Sequence, residues 1–126
     1  MSVQTRSQKL AQAAYSQIAK HMKDRKNPDK EFVSTAKKFP ALIHTCGLAQ
    51  AVAFALAKKD EEYIGYLAYV LEAIGHDSIN DAKSLDGQAR EQQLAGYLRL
   101  SRDAINAASW LKRYAEAAAP DETEGG

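Results

Sequence analysis

Lys37-Lys38-Phe39-Pro40-Ala41-Leu42-Ile43-His44-Thr45-Cys46-Gly47-Leu48-Ala49-Gln50, continued by an apolar run to Ala57, is the stretch whose reading decides the fold. It opens on two cations, meets a proline, turns at a glycine and ends in a run whose one polar member is Gln50. Pro40 lacks the amide hydrogen that an interior helical residue donates, and its ring crowds the preceding turn. The stretch therefore predicts a helix up to Lys38, a break near Phe39 and a short helix through Thr45. Gly47 suits a left-handed C-cap before a new helix starts at Leu48. That next helix, Leu48 to Lys58, is apolar on nearly every side, and such a helix must be enclosed by others.

Working outward, the partners that enclose it are also helical. Before it, Leu10, Ala14, Ile18 and Met22 recur every four positions in a helix from Thr5 to Arg25, and Asn27-Pro28-Asp29 reads as a stop and restart. Phe32, Val33 and Ala36 mark the buried side of the helix from Asp29 to Lys38. After it, Asp60-Glu61-Glu62 opens a helix to Gly75 with Ile64, Leu67, Leu71 and Ile74 on one face. His76 to Gly87 has the composition of a loop, with room for a short helical turn. A fifth helix is expected over Gln88 to Leu100. A last one runs from Ser101 as cap to Ala118, before Pro120, with Ile105, Ala108, Leu111 and Ala115 as its stripe. The expected fold is all-α, a compact single-domain bundle of about six helices over residues 1 to 120, with an acidic, disordered tail over 121 to 126.

Composition agrees with a self-sufficient core. A chain of 126 residues, 45% hydrophobic and 26% charged, buries roughly two thirds of its unfolded surface without a metal or disulfide. No apolar run is long enough to span a bilayer, and the N-terminus lacks the hydrophobic block of a secretory signal. One cysteine, Cys46, excludes an internal disulfide and fits the cytoplasm. The net charge of +1 conceals an asymmetry: residues 1 to 44 carry nine Lys/Arg against three Asp/Glu, and residues 45 to 126 carry eight against thirteen. A basic half of this kind suits a polyanion or an acidic protein surface, although a solvated helix face is the first reading of such a charge run.

Catalytic patterns are tested one by one and none is completed. His76-Asp77 has the look of a metal-dependent HD-type phosphohydrolase, but that site needs further His and Asp ligands, and only His21 and His44 are available. Cys46 and His44, two residues apart on a helix, point in different directions and lack a third group to orient the base. The isolated glycines make neither a P-loop nor a dinucleotide fingerprint. A helix-turn-helix reading fails because the helix Leu48 to Lys58 offers Ala, Val, Phe and Leu where base edges need bidentate donors. No catalytic residue, metal ligand or cofactor is expected. What remains is the basic surface of Lys20, Lys23, Lys26, Lys30, Lys37 and Lys38, which forms one patch if the Asn27-Pro28 turn folds the first two helices together. Such lysines position a nucleic acid through its phosphates without reading sequence.

The Lys37 to Gln50 run, with Ala53-Phe54 after it, resembles the signature of the small α-helical subunit of type III-B CRISPR-Cas effector complexes, the Cmr type. Tyr97-Leu98-Arg99-Leu100 and Ala108-Ser109-Trp110-Leu111-Lys112-Arg113-Tyr114-Ala115 are similar to the family's final helix, and the likeness covers essentially the whole folded chain. The resemblance implies a non-catalytic protein. Several copies would stack beside the backbone subunits and line the groove where CRISPR RNA pairs with target RNA. It implies other Cmr subunits and further copies of itself as partners, RNA contacts through phosphates, and no membrane. Carried over by position, Lys37 and Lys38, then Arg99, Lys112 and Arg113, fit the family's basic positions and join Lys20 and Lys23 as expected RNA contacts. At His44 and Cys46 the family more often has Arg and Asn. A helical adaptor that binds only protein shares the same fold and is favoured if the basic residues scatter over several faces.

Overall fold

The structure is a computed structural model and describes residues 3–120. Six helices follow in chain order: α1 (Arg6–Met22), α2 (Lys30–Cys46), α3 (Leu48–Ala57), α4 (Glu61–Ala73), α5 (Ala82–Glu91) and α6 (Leu94–Ala118). Among the described residues there is no strand, so the all-α expectation holds. The acidic tail expected over 121 to 126 lies outside the described residues.

α6 is the spine. Arg6 meets Asp103 and the Tyr15 ring meets Tyr114 edge-on at 5.5 Å, so α1 runs parallel to α6. α2 runs antiparallel to α6, because Lys30 and Ala119 line one groove while Ala49, just past the other end of α2, bonds Tyr97. α1 and α2 thus both pack on α6, chiefly against it rather than against each other. α4 closes the core from the other side, where Tyr63, Ile64, Leu67, Ala68, Val70 and Leu71 are buried.

Three boundaries differ from the sequence reading, each for a physical reason. α2 continues through Pro40 to Cys46. The proline costs one backbone hydrogen bond and a crowded turn, about 3 kcal/mol, but Phe39 at the expected break and Ile43 beyond it are buried in the core and hold the helix together. The stretch expected as a loop contains α5: Asp81 and Ser84 form a reciprocal capping box, and Ala82, Leu85 and Ala89 bury one face. α6 is unbroken from Leu94 to Ala118, since Leu100, Ala104, Ala107, Ala108 and Leu111 continue one buried stripe through the supposed cap at Ser101.

Two burial expectations also change. α3 is not enclosed on all sides: Gln50, Ala53, Phe54 and Ala57, at i, i+3, i+4 and i+7, form an exposed face, and Phe54 is 53% exposed. In α1 the buried face includes Gln17 and His21, while Tyr15 is exposed and Met22 only half-buried. His21 replaces part of the expected apolar stripe because it has polar partners beyond its own helix, Glu62 and the Asp29 amide.

Candidate nucleic-acid interface and its supports

The α1–α2 turn carries the densest group of cations, Lys20, Lys23, Lys26 and Lys30, all exposed. Its conformation is set by His21, whose side chain is fully buried against Phe32 with ring centroids 4.0 Å apart. The Asp29 amide donates to His21 Nε2 at 3.1 Å, so that nitrogen is the acceptor. Nδ1 lies 3.1 Å from Glu62 Oε2 and 2.7 Å from Arg25 Nη1. The Arg25 guanidinium donates to the His21 carbonyl at 2.7 Å. Burial alone would raise the Glu62 carboxyl, but hydrogen bonds from Tyr66 and His21 and the Arg25 charge outweigh it and hold its pKa below the ordinary value. Asp29 caps α2 by accepting from the Phe32 amide at 3.1 Å.

Lys37 and Lys38 are both exposed on α2 but serve different grooves. Lys37 opens on a groove of about 370 Å³ with Asn27, Lys30 and Ser34 on one wall and Ala119 and Pro120 on the other. Lys38 opens on a groove of about 310 Å³ between α2 and α3, beside Leu42, Thr45, Phe54, Lys58 and Asp60. The second groove is mostly apolar, with Lys58 Nζ 5.4 Å from the Phe54 ring centroid and Thr35 Oγ1 donating to Asp60 Oδ2 at 2.6 Å. One hundred degrees of helical turn separates the two neighbours, which adjacent sequence positions conceal.

On α6, Arg113 is exposed and Lys112 half-buried. In the antiparallel register they lie at the level of Lys37, because both pairs sit about two turns in from the Lys30–Ala119 end. Arg99 is exposed at the other end of α6, thirteen residues and about 20 Å from Lys112. Along the bundle axis Lys20, Lys23, Lys37, Lys112 and Arg113 therefore lie nearer the α1–α2 turn than the opposite end, while Lys38 turns to a second groove and Arg99 lies at the far end of α6. Acidic groups are close to this end as well: Asp29, Glu31, Asp60 and Glu62 share a further cleft with Lys58 and Lys59.

His76 does not pair with Asp77. Its Nε2 bonds Asp103 Oδ2 at 2.7 Å, and Arg6 bonds the same oxygen at 2.8 Å, tying α1 and the chain after α4 to α6. Burial pushes the Asp103 carboxyl up, but the His76 and Arg6 hydrogen bonds and the Arg6 charge outweigh it and hold its pKa below the usual aspartate value. Among the described residues, no three His, Cys, Asp or Glu side chains come together as a metal site. His44 is exposed and Cys46 half-buried, and Cys46 is a free thiol.

Sequence reading missed Tyr97. Gly47 begins α3 with no side chain to cap it, and the Ala49 amide donates instead to Tyr97 Oη at 3.1 Å, from α6. No local signal marks this contact, since the partners are 48 residues apart. Gly47 itself has φ +86° and ψ 159°, a Gly-only extended region rather than the expected left-handed helical one. Its amide closes α2 on the Ile43 carbonyl at 2.8 Å, and its carbonyl opens α3 by accepting from Ala51 at 3.0 Å.

A six-helix bundle with exposed lysines around the α1–α2 turn defines a small all-α protein. The chain belongs to the Cas_Cmr5 family of CRISPR-associated proteins, whose family model matches residues 6–118. It is 35% identical over 115 residues to the CRISPR system Cmr subunit Cmr5 of Thermus thermophilus, covering 91% of this chain and 96% of that protein. The X-ray crystal structure of a CRISPR-associated Cmr5 family protein from Thermus thermophilus superposes with a TM-score of 0.78 at 34% identity, over 93% of this chain and 100% of the other.

Proposed function

We propose that this chain is the small subunit of a type III-B Cmr effector complex, non-catalytic, and that its basic end faces the phosphates of paired CRISPR RNA and target RNA. Several copies stack beside the other Cmr subunits, so that each adds a short cationic segment to one groove in the cytoplasm. What supports the RNA reading is membership of the family together with exposed cations, Lys20, Lys23, Lys37 and Arg113, in the half of the chain's helices nearer the α1–α2 turn. Base pairing by the guide supplies sequence, and the lysines contribute affinity that falls with salt. Lys38 and Arg99 belong to the expected RNA set but serve a different groove and the far end of α6.

A protein-only adaptor gains from one specific observation, the half-exposed Phe54 in the mostly apolar α2–α3 groove, which suits a protein neighbour more than a phosphate. Single reversals separate the two readings. In the assembled complex, Lys37→Glu should weaken target-RNA binding and reduce the slope of log K against log salt by roughly 0.7 for each phosphate that is no longer neutralised. Phe54→Ser should instead lower the subunit's retention in the complex. Unchanged RNA affinity and slope in Lys37→Glu and in Lys112→Glu would overturn the RNA reading.

A further inference from the structure

Tyr15 is a large aromatic side chain that the core does not take in: it is 58% exposed. Among the described residues the one aromatic ring beside it, Tyr114, stands at 78° to it, so a flat face of the phenol stays open. Tyr15 lines a groove of about 260 Å³ between α1 and α6, together with Gln4, Gln8, Ala11, Gln12 and Tyr114. Gln8 and Gln12 are one turn apart on α1 and Gln4 lies just before it, so carboxamides run along the groove. Gln8 Oε1 accepts from the Thr5 amide at 2.8 Å, which leaves its Nε2 to donate. On α6, Arg102, Asn106, Trp110 and Tyr114 repeat every four residues. Trp110 stacks on Tyr114 with centroids 5.8 Å apart, so this row continues from the outer face of α6 into the groove. Arg113 adjoins Tyr114 and is exposed, as Arg102 and Asn106 are. Neither arginine forms an ion pair with a described residue, and they are about 16 Å apart along the helix axis. α1 has no Asp or Glu, and the carboxylates of α6 are Asp103, already bonded to Arg6 and His76, and Glu116. Positive charge therefore dominates around the groove.

We propose that the α1–α6 groove holds an unpaired stretch of RNA, with one base stacked on Tyr15, its edge on the glutamines, and flanking phosphates on Arg102 and Arg113. The proposal rests on the RNA reading for the class of partner, but it assigns another face and another kind of contact. Lysines near the α1–α2 turn neutralise phosphates whether or not the bases are paired. A base inside a duplex is already stacked on its neighbours, so Tyr15 takes only a base free of a pair. A carboxamide both donates and accepts, which suits the mixed edge of an unpaired base. Stacking is tolerant of sequence because every base has a π face. A protein neighbour would instead favour aliphatic anchors, as in the mostly apolar groove beside Phe54.

Fluorescence anisotropy on the full chain tests it, with a labelled uridine 20-mer and an abasic 20-mer of the same charge. Tyr15→Ala should weaken binding of the uridine oligomer by about five- to thirtyfold and leave the abasic one unchanged. Tyr15→Phe keeps the ring and should bind as the unchanged chain does. Arg102→Gln with Arg113→Gln should weaken both oligomers and lower the slope of log K against log salt by roughly 0.7 for each arginine. Trp110, the chain's one tryptophan, reports the place of binding: its emission should change with the uridine oligomer and not with the abasic one. Unchanged affinity of Tyr15→Ala for the uridine oligomer, or equal losses on the two oligomers, would overturn the stacking site while leaving the RNA reading standing. A Tyr15→Ala chain that binds RNA normally but is lost from the assembled complex would give this face to a protein neighbour. Failure of the unchanged chain to bind either oligomer would also overturn the groove, whereas the RNA reading is decided by Lys37→Glu and Lys112→Glu in the assembled complex.

Discussion

Replacing Gly47 by alanine probes the joint between α2 and α3 and the hydroxyl that caps it. At φ +86° and ψ 159° an L side chain costs about 1–3 kcal/mol in backbone strain alone. A Cβ at this position would also sit 3.2 Å from Tyr97 Oη, tight enough to push that oxygen away from the Ala49 amide it caps. Removing a cap costs about 1 kcal/mol, so Gly47→Ala should destabilise the domain by roughly 2–4 kcal/mol. With about 2.1 cal/mol/K of unfolding entropy per residue, that lowers Tm by roughly 8–16 °C. Tyr97→Phe alone should cost about 1 kcal/mol, because it removes the cap without straining the backbone. In the double variant the new Cβ meets no oxygen and the cap is already gone, so the combined destabilisation should fall short of the sum by about 0.5–1 kcal/mol. Urea denaturation of the four proteins measures all three quantities. Additivity within about 0.3 kcal/mol, or a Gly47→Ala effect below about 1 kcal/mol, would refute this account of the joint.

Other perturbations address the spine and its supports. Pro40→Ala restores a donor for the Ala36 carbonyl inside continuous α2 and should stabilise by about 1 kcal/mol after the loss of half-buried ring packing, read as a raised urea midpoint; a lowered midpoint would mean the ring's packing outweighs the helix gain. Asp103, with its pKa held below the unfolded value, contributes stability that is present above about pH 4 and disappears as pH falls through its folded pKa. Asp103→Asn should therefore cost about 1–3 kcal/mol at pH 7 and flatten the acid limb of a stability-versus-pH curve; an unchanged limb would show that another carboxylate governs it.

Much of the helical content was legible in sequence because amphipathic periodicity and caps are local. Leu10, Ala14 and Ile18, the Phe32-Val33-Ala36 face, and the Ile64-Leu67-Leu71 face all reached the core as their spacing indicates. The misread boundaries occur where local and tertiary signals conflict. Pro40 and Ser101 look like helix stops, but buried neighbours on both sides of each keep the helix continuous. α5 escaped notice because its cap pairs Asp81 with Ser84 rather than with Glu or Gln, and its stripe is short.

The candidate surface was only partly legible. Charge counting found the basic first third and the family-like motifs marked Lys37, Lys38 and the α6 cations. Sequence could not tell that Lys37 and Lys38 face separate grooves or that Arg99 is about 20 Å from Lys112, since both facts depend on helix phase and on how α2 lies against α6.

By itself the sequence determined that the chain is helical, where most of its apolar faces lie, and that its positive charge is concentrated before residue 45. Only the tertiary structure decided that His21 turns α1 into α2, that Asp103 serves His76 and Arg6 at once, and that Tyr97 caps α3 from 48 residues away. The reason is range: periodicity and capping act over a few residues, whereas a buried polar group must find its partner wherever packing brings one within hydrogen-bond distance.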